Sequence, residues 1–129
     1  MRHQRGVSLV EVIIALALMG VILAYAAPLF ATAIHENAAG ADLGAVGAMA
    51  VDRMELLRGT DFYSLGAGGN LSSDVTGFSD PADPRYTVRW LVADNGSPAT
   101  LKTISVRVIA ARAVNGPAKE VTLVTERAR

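Results

Sequence analysis

Apolar positions follow three patterns along the chain. From Val7 to Ile34 they are nearly continuous, interrupted only by Ser8, Glu11 and Thr32 among strongly polar side chains. From His35 to Arg58 they recur with a helical period at Leu43, Val46, Ala50, Met54 and Leu57, and most charged residues (Glu36, Asp42, Asp52, Arg53, Glu55, Arg58) fall off that stripe. After Pro84 the period becomes two. "YTVRWLVAD" sets Tyr86, Val88, Trp90 and Val92 against Thr87, Arg89 and Leu91; "KTISVRVIAAR" sets Ile104, Val106, Val108 and Ala110 against Thr103, Ser105 and Arg107; "EVTLVTE" continues with Val121 and Leu123.

These patterns predict an α+β fold. A long N-terminal helix presents its second half to a small antiparallel sheet of about three to four strands. Gly59 ends the helix, as the residue a C-terminal cap favours. The segment "GTDFYSLGAGGNLSSDVTGFSDPADP" is rich in Gly, Ser, Asp and Pro and is too long for a routine link, so it is either functional or partly mobile. The Asn-Gly pairs in "DNGSPAT" and "VNGPAK" suit hairpin turns, which makes the strands antiparallel and sequential. The expected organisation is a leader over 1–6, a membrane helix over 7–34, an amphipathic half over 35–58, an αβ-loop over 59–84 and a sheet over 85–129.

About 20 apolar helical residues cross a hydrocarbon core of about 30 Å, so 7–34 is long enough to span a bilayer. Arg2 and Arg5 precede it and no basic cluster follows at once, which by the positive-inside rule keeps the N-terminus cytoplasmic and the bulk of the chain outside. The segment has three readings: a cleaved secretory signal, a plain anchor, or a signal trimmed yet retained as a helix. "LAYAAP" offers Ala24 and Ala26 in the small-x-small arrangement of a signal-peptidase site. Against the first reading, Glu11 lies at the start of the apolar run and the run continues past that site.

"RGVSLVEVIIALALMG" resembles the class III signal of type IV pilins and pseudopilins: a short basic leader, Gly at the cut, an aromatic or aliphatic residue, Thr or Ser, Leu, an aliphatic, then Glu. Gly6 matches the residue before the cut, Val7 the new N-terminus, and Glu11 the fifth mature position; Val7 stands where Phe is usual and Ser8 where Thr is usual. The resemblance covers about the first thirty residues. It implies cleavage between Gly6 and Val7 by a prepilin peptidase, N-methylation of Val7, insertion in the bacterial inner membrane, and assembly with other subunits on an inner-membrane platform. Gly20 and Pro28 fall where such proteins have a glycine and a helix-bending proline, and Pro28 predicts a kink near Ala24 to Pro28 through its missing N–H and ring clash. The function expected is that of a minor pilin or pseudopilin of a type IV pilus or type II secretion pseudopilus. An anchored or secreted binding domain, and a competence-type subunit for DNA uptake, stay open beside it.

The position of Glu11 supports the resemblance physically. A cut after Gly6 frees an amine at Val7, one helical turn from Glu11 at nearly the same depth. An adjacent subunit shifted by that spacing sets its amine against this carboxylate, an assembly ion pair between Glu11 and Val7 that satisfies two otherwise costly charges. The alternative is a carboxylate at the interfacial edge that snorkels into water.

Composition narrows the chemistry. In 129 residues there are no cysteines, which excludes disulfides, thiolate metal sites and a cysteine nucleophile. The formal charge is zero, and losing Arg2 and Arg5 with the leader tips it acidic, which does not favour nucleic acid as a partner. Arg85, Arg89, Lys102, Arg107 and Arg112 are expected on the solvated face of the sheet, with a subunit or nucleic-acid contact as the weaker reading. No catalytic constellation is present: His3 lies in the leader, His35 is read as solvated, and Ser8 has no base in lipid. No cofactor is expected. Asp74, Asp80 and Asp83 offer oxygen ligands for calcium, but without EF-hand spacing and beside prolines that suit turns.

Overall fold

The computed structural model describes residues 8–111 and 117–129. One helix, α1 (Leu9–Gly59), precedes five strands: β1 (Gly68–Gly69), β2 (Ser79–Asp80), β3 (Tyr86–Asn95), β4 (Leu101–Ala110) and β5 (Glu120–Ala128). The chain divides into two compact units, Met1–Asn37 and Ala38–Arg129. In the first, the described part is α1 alone. In the second, the rest of α1 packs on an antiparallel sheet in the order β1-β3-β4-β5, with β2 also on β3.

The three long strands follow the alternating pattern. Val88, Val108 and Val121 form one cross-strand row, Trp90, Val106 and Leu123 the next, and Val92, Ile104 and Thr125 a third. Their apolar members face α1, where Val46, Ala50, Met54 and Leu57 complete the core. Each fully buried Val or Ile there contributes about 1.5–3 kcal/mol. The helical stripe starts later than its period suggests, because Leu43 is 46% exposed and Val46 is the first buried position. The β3–β4 hairpin closes differently from the expected Asn-Gly turn: Asn95 is the last ladder residue of β3, opposite Leu101, and the chain reverses over 96–100, where Gly96 adopts φ +94. The second expected turn, with Asn115-Gly116, and the basic Arg112 lie outside the described residues.

The αβ-loop differs most from expectation: it supplies two strands of its own and is held at many points. β1 pairs Gly68 and Gly69 with Val92 and Leu91, and β2 pairs Ser79 and Asp80 with Arg89 and Val88, so together they close part of the β3 edge. At the loop's start Asp61 Oδ2 accepts from the N–H groups of Tyr63 (2.9 Å) and Ser64 (3.2 Å), a turn that aims Phe62 and Leu65 inward. Gly69 is required by contact, since a Cβ on it would lie 2.2 Å from the Trp90 carbonyl oxygen and 2.9 Å from the Phe78 ring.

Lys102 is a correction to the solvated-face reading. It has the same parity as Ile104 and Val106, so the pleat turns it to the core side, and its side chain is only 8% exposed. Its Nζ donates to the Leu65 carbonyl at 2.6 Å, pairs with Asp94 at 2.9 Å and lies 5.2 Å from the Phe62 ring. A buried ammonium needs such partners. These bonds tie the loop to the far end of the sheet.

Candidate functional site

The first unit carries the residues singled out for processing and assembly. Gly6 and Val7 lie outside the described residues. The helix begins beside them: Val12 N–H donates to the Ser8 carbonyl at 3.2 Å, which makes Ser8 the residue that caps α1. Ser8 and Glu11 therefore have the S-x-x-E spacing of a capping box, in which the acid reaches back to the cap's N–H. This spacing is legible in the sequence, and it offers Glu11 a local use at its own helix start besides an intermolecular one. Glu11 also sits where the helix dipole favours a carboxylate.

Around Glu11 the helix surface is bare. Leu9, Ile13, Leu16, Met19, Ile22, Leu23, Leu29 and Phe30 are each more than half exposed. Glu11, Val12, Ala15, Leu16 and Met19 line a shallow groove in which Ala15, one turn after the acid, leaves room for a neighbouring side chain. α1 is long and apolar enough to cross a membrane. A helix apolar all round and unburied within its own chain requires lipid or other helices.

Gly20 and Pro28 both lie within α1. A Cβ on Gly20 would meet nothing within 4 Å, so this glycine answers no packing need inside the chain. Pro28 deprives the Ala24 carbonyl of its usual helical donor. Thr32 Oγ1 donates to the Pro28 carbonyl at 2.9 Å, so the hydroxyl deep in the apolar run is satisfied within the helix, as a bilayer demands.

In the second unit, the sheet's basic residues are engaged with acids. Arg89 Nε meets Asp74 at 2.7 Å and its Nη1 donates to the Ser72 carbonyl at 3.2 Å. Arg107 Nη2 meets Glu120 at 2.6 Å and its Nη1 donates to the Leu71 carbonyl at 3.4 Å. Arg89 and Arg107 thus fasten the 71–74 segment to the sheet face opposite α1. Arg85 grips Asp83 with Nη2 at 2.7 Å and Nε at 3.0 Å, and Lys102 is used as above. A phosphate-binding surface needs uncommitted positive charge, and these four residues are not that.

The same pairs account for the aspartates considered for calcium. Asp74 holds Arg89, Asp80 holds Arg53, and Asp83 holds Arg85. Among the described residues no group of three His, Cys, Asp or Glu side chains is arranged to hold a metal ion.

The hydrogen bonds from the Arg85 side chain, then from its backbone N–H, lower the Asp83 pKa from 3.8 to about 2. A depressed carboxylate contributes stability above its unfolded value that is lost as pH falls through its folded value, so this pair matters between pH 3.8 and about 2. Exposure keeps the contribution small. Arg85→Gln is expected to return the Asp83 titration, followed by carboxyl NMR, toward 3.8; an unchanged midpoint would show that other groups set it.

Against known families, residues 1–27 match the prokaryotic N-terminal methylation motif. No curated protein and no solved structure matches the chain. The motif is the class III prepilin signal of type IV pilins and pseudopilins, and together with the apolar N-terminal helix it supports a type IV pilin-like protein. It implies processing by prepilin peptidase and assembly with other pilin subunits.

Proposed function

We propose that this chain is a minor pilin or pseudopilin, inserted in the inner membrane as a precursor with its N-terminus cytoplasmic. After cleavage following Gly6 and methylation of Val7, the N-terminal helix assembles into a type IV pilus or a type II secretion pseudopilus. The observation that carries the reading is the methylation motif over 1–27 leading into a helix whose apolar surface is left exposed among the described residues. In lipid that surface is solvated by acyl chains; in a filament it is covered by the helices of other subunits.

Glu11 has a defined part in this reading. The amine of a neighbouring Val7 stays protonatable after methylation and faces the Glu11 carboxylate, fixing the axial register between subunits. Gly20 and Pro28 loosen the helix so that it bends to fit its neighbours. The inner-membrane platform acts on the assembled helices. Asp74, Asp80 and Asp83 serve as arginine partners. Uptake of DNA through the sheet has less support, because Arg85, Arg89, Lys102 and Arg107 are already paired with acids.

N-terminal mass spectrometry of the membrane-associated protein tests the reading. The expected first residue is N-methyl Val7. A chain that starts at Met1 or Ala27 would overturn it in favour of a plain anchor or a secreted domain.

A further inference from the structure

The two edges of the sheet are finished differently. On the β3 edge, β1 covers Leu91 and Val92 and β2 covers Val88 and Arg89. On the other edge, β5 ends the strand order, with no further strand beside it among the described residues. It pairs with β4 in one unbroken register, without a bulge, and contains no proline. Bulges and prolines are means by which sheets blunt an open edge, and β5 lacks both.

Two bonds fix which backbone groups face outward. Ala110 N–H donates to the Lys119 carbonyl at 2.9 Å, and Arg129 N–H donates to the Thr100 carbonyl at 3.1 Å. Antiparallel ladders alternate, so the odd-numbered residues of β5 turn their N–H and C=O groups to β4, whereas Glu120, Thr122, Val124, Glu126 and Ala128 turn theirs away. These five residues are also exposed, Val124 at 63%.

The flank of α1 above this edge is open too. Arg53 reaches Asp80 and Trp90, and Met49 lines a cavity with Val88, so that flank of the helix lies over the β2–β3 side. At about 100° per residue, Gly47 and Val51 fall on the opposite flank, toward β5. Val51 is 46% exposed, and a Cβ on Gly47 would meet nothing within 4 Å. A strand added to β5 would have Val51 above it and the partly buried Val121 and Leu123 beside it. Its other face would meet a carboxylate. Glu120 is paired with Arg107, but Glu126, with Thr103, Val124 and Ala128 around it on that face, has no basic partner among the described residues.

A second copy does not fit this edge. In an antiparallel β5–β5 pair the two-fold axis is normal to the sheet, so the Ala38 ends of the two α1 segments packed on it would point in opposite directions, whereas subunits of one bilayer leave it in the same direction. The β3 edge of a copy is already occupied by β1 and β2.

We infer that β5 receives one extended segment of a different protein as an added strand. The main chain of that segment bonds the outward N–H and C=O groups of Thr122, Val124 and Glu126, its apolar side chains lie against Val121, Leu123 and Val51, and on the other face a lysine or arginine meets Glu126. The contact lies outside the membrane and rests on the filament-subunit reading only where a second copy is excluded.

The probe is a nine-residue peptide, the length of β5, in which valine alternates with threonine or lysine. It is titrated onto the full chain in detergent, where processing and assembly play no part. Binding is expected to slow hydrogen exchange at the amides of Thr122, Val124 and Glu126. Val124→Pro removes an N–H that β4 does not use, so the thermal midpoint should stay near that of the wild type while peptide affinity falls about tenfold or more. Two N-methylated peptides, blocked at alternate amides, check the same point without altering the protein: one should bind and the other fail. Glu126→Lys should weaken binding of the lysine peptide and strengthen binding of its glutamate counterpart. Equal binding of both methylated peptides, or unchanged exchange in β5, would overturn the added strand. In cells, a photo-crosslinking benzoylphenylalanine in place of Thr122, carried by two differently tagged copies, is expected to give adducts with a single tag that disappear with Val124→Pro. Adducts that join the two tags, adducts that Val124→Pro leaves intact, or no adduct at all would overturn the assignment of a different protein to this edge.

Discussion

Glu11→Ala is expected to leave the precursor inserted and cleaved but to reduce its recovery in sheared filaments by about 100-fold or more, since removing one partner of a buried ion pair costs about 3–5 kcal/mol. The structure adds a local competitor, because Glu11 lies three residues after the helix-capping Ser8 and can support that cap itself. Loss of a cap is worth about 1 kcal/mol, which is too little for the expected defect. Glu11→Gln separates the two roles: the amide oxygen retains the capacity to accept from the cap's N–H and the charge is removed. If the charge pairs with the Val7 amine of a neighbour, Gln behaves like Ala in filament recovery. If Gln is recovered at the wild-type level, the register pairing is wrong and the residue serves its own helix.

Gly69→Ala is expected to have the largest effect on stability in the second unit. The residue adopts φ +96, where an L side chain is strained by about 1–3 kcal/mol. The added methyl would also meet the Trp90 carbonyl oxygen at 2.2 Å, a backbone atom that moves only if β3 moves. Phe78 stacks beside it, 6.4 Å from the Trp90 ring, so relaxing the clash disturbs the packing of both aromatics. Together these should lower the thermal midpoint of the full chain in detergent by about 10 °C or more and speed proteolysis within the αβ-loop. A midpoint within a degree or two of wild type would mean that β1 detaches from β3 at little cost. Gly77→Ala is a useful comparison: φ is +83 there but open space surrounds the position, so it isolates backbone strain from collision.

Much of this architecture was legible in the sequence because it depends on short-range periodicity. Continuous apolar character over 7–34, the stripe through Val46, Ala50, Met54 and Leu57, and the parity of Val88, Trp90, Ile104 and Val106 each follow from where successive Cβ atoms point on a helix or strand. The motif over 1–27 was equally legible, since it consists of residue types at fixed local spacing. Lys102 was within reach of the same logic, having the parity of Ile104, but its charge argued for solvent. The pleat overruled the charge, and the Leu65 carbonyl and Asp94 made the burial tolerable.

Only the tertiary structure decided where the αβ-loop goes and which charges it uses. Its glycines, serines and aspartates encode turns, and turns specify local direction without naming the strand that will receive them. The pairings of Asp74 with Arg89, Asp80 with Arg53 and Lys102 with the Leu65 carbonyl join residues 15, 27 and 37 positions apart. No local pattern carries such information, because an ion pair or a backbone acceptor fits any partner that the packed sheet and helix bring within reach. The sequence by itself determined a helix apolar and long enough to cross a membrane, the prepilin-type motif before it, and which apolar positions of the long strands face inward. The packed fold determined which cations are paired and, among the described residues, which edge of the sheet stays open.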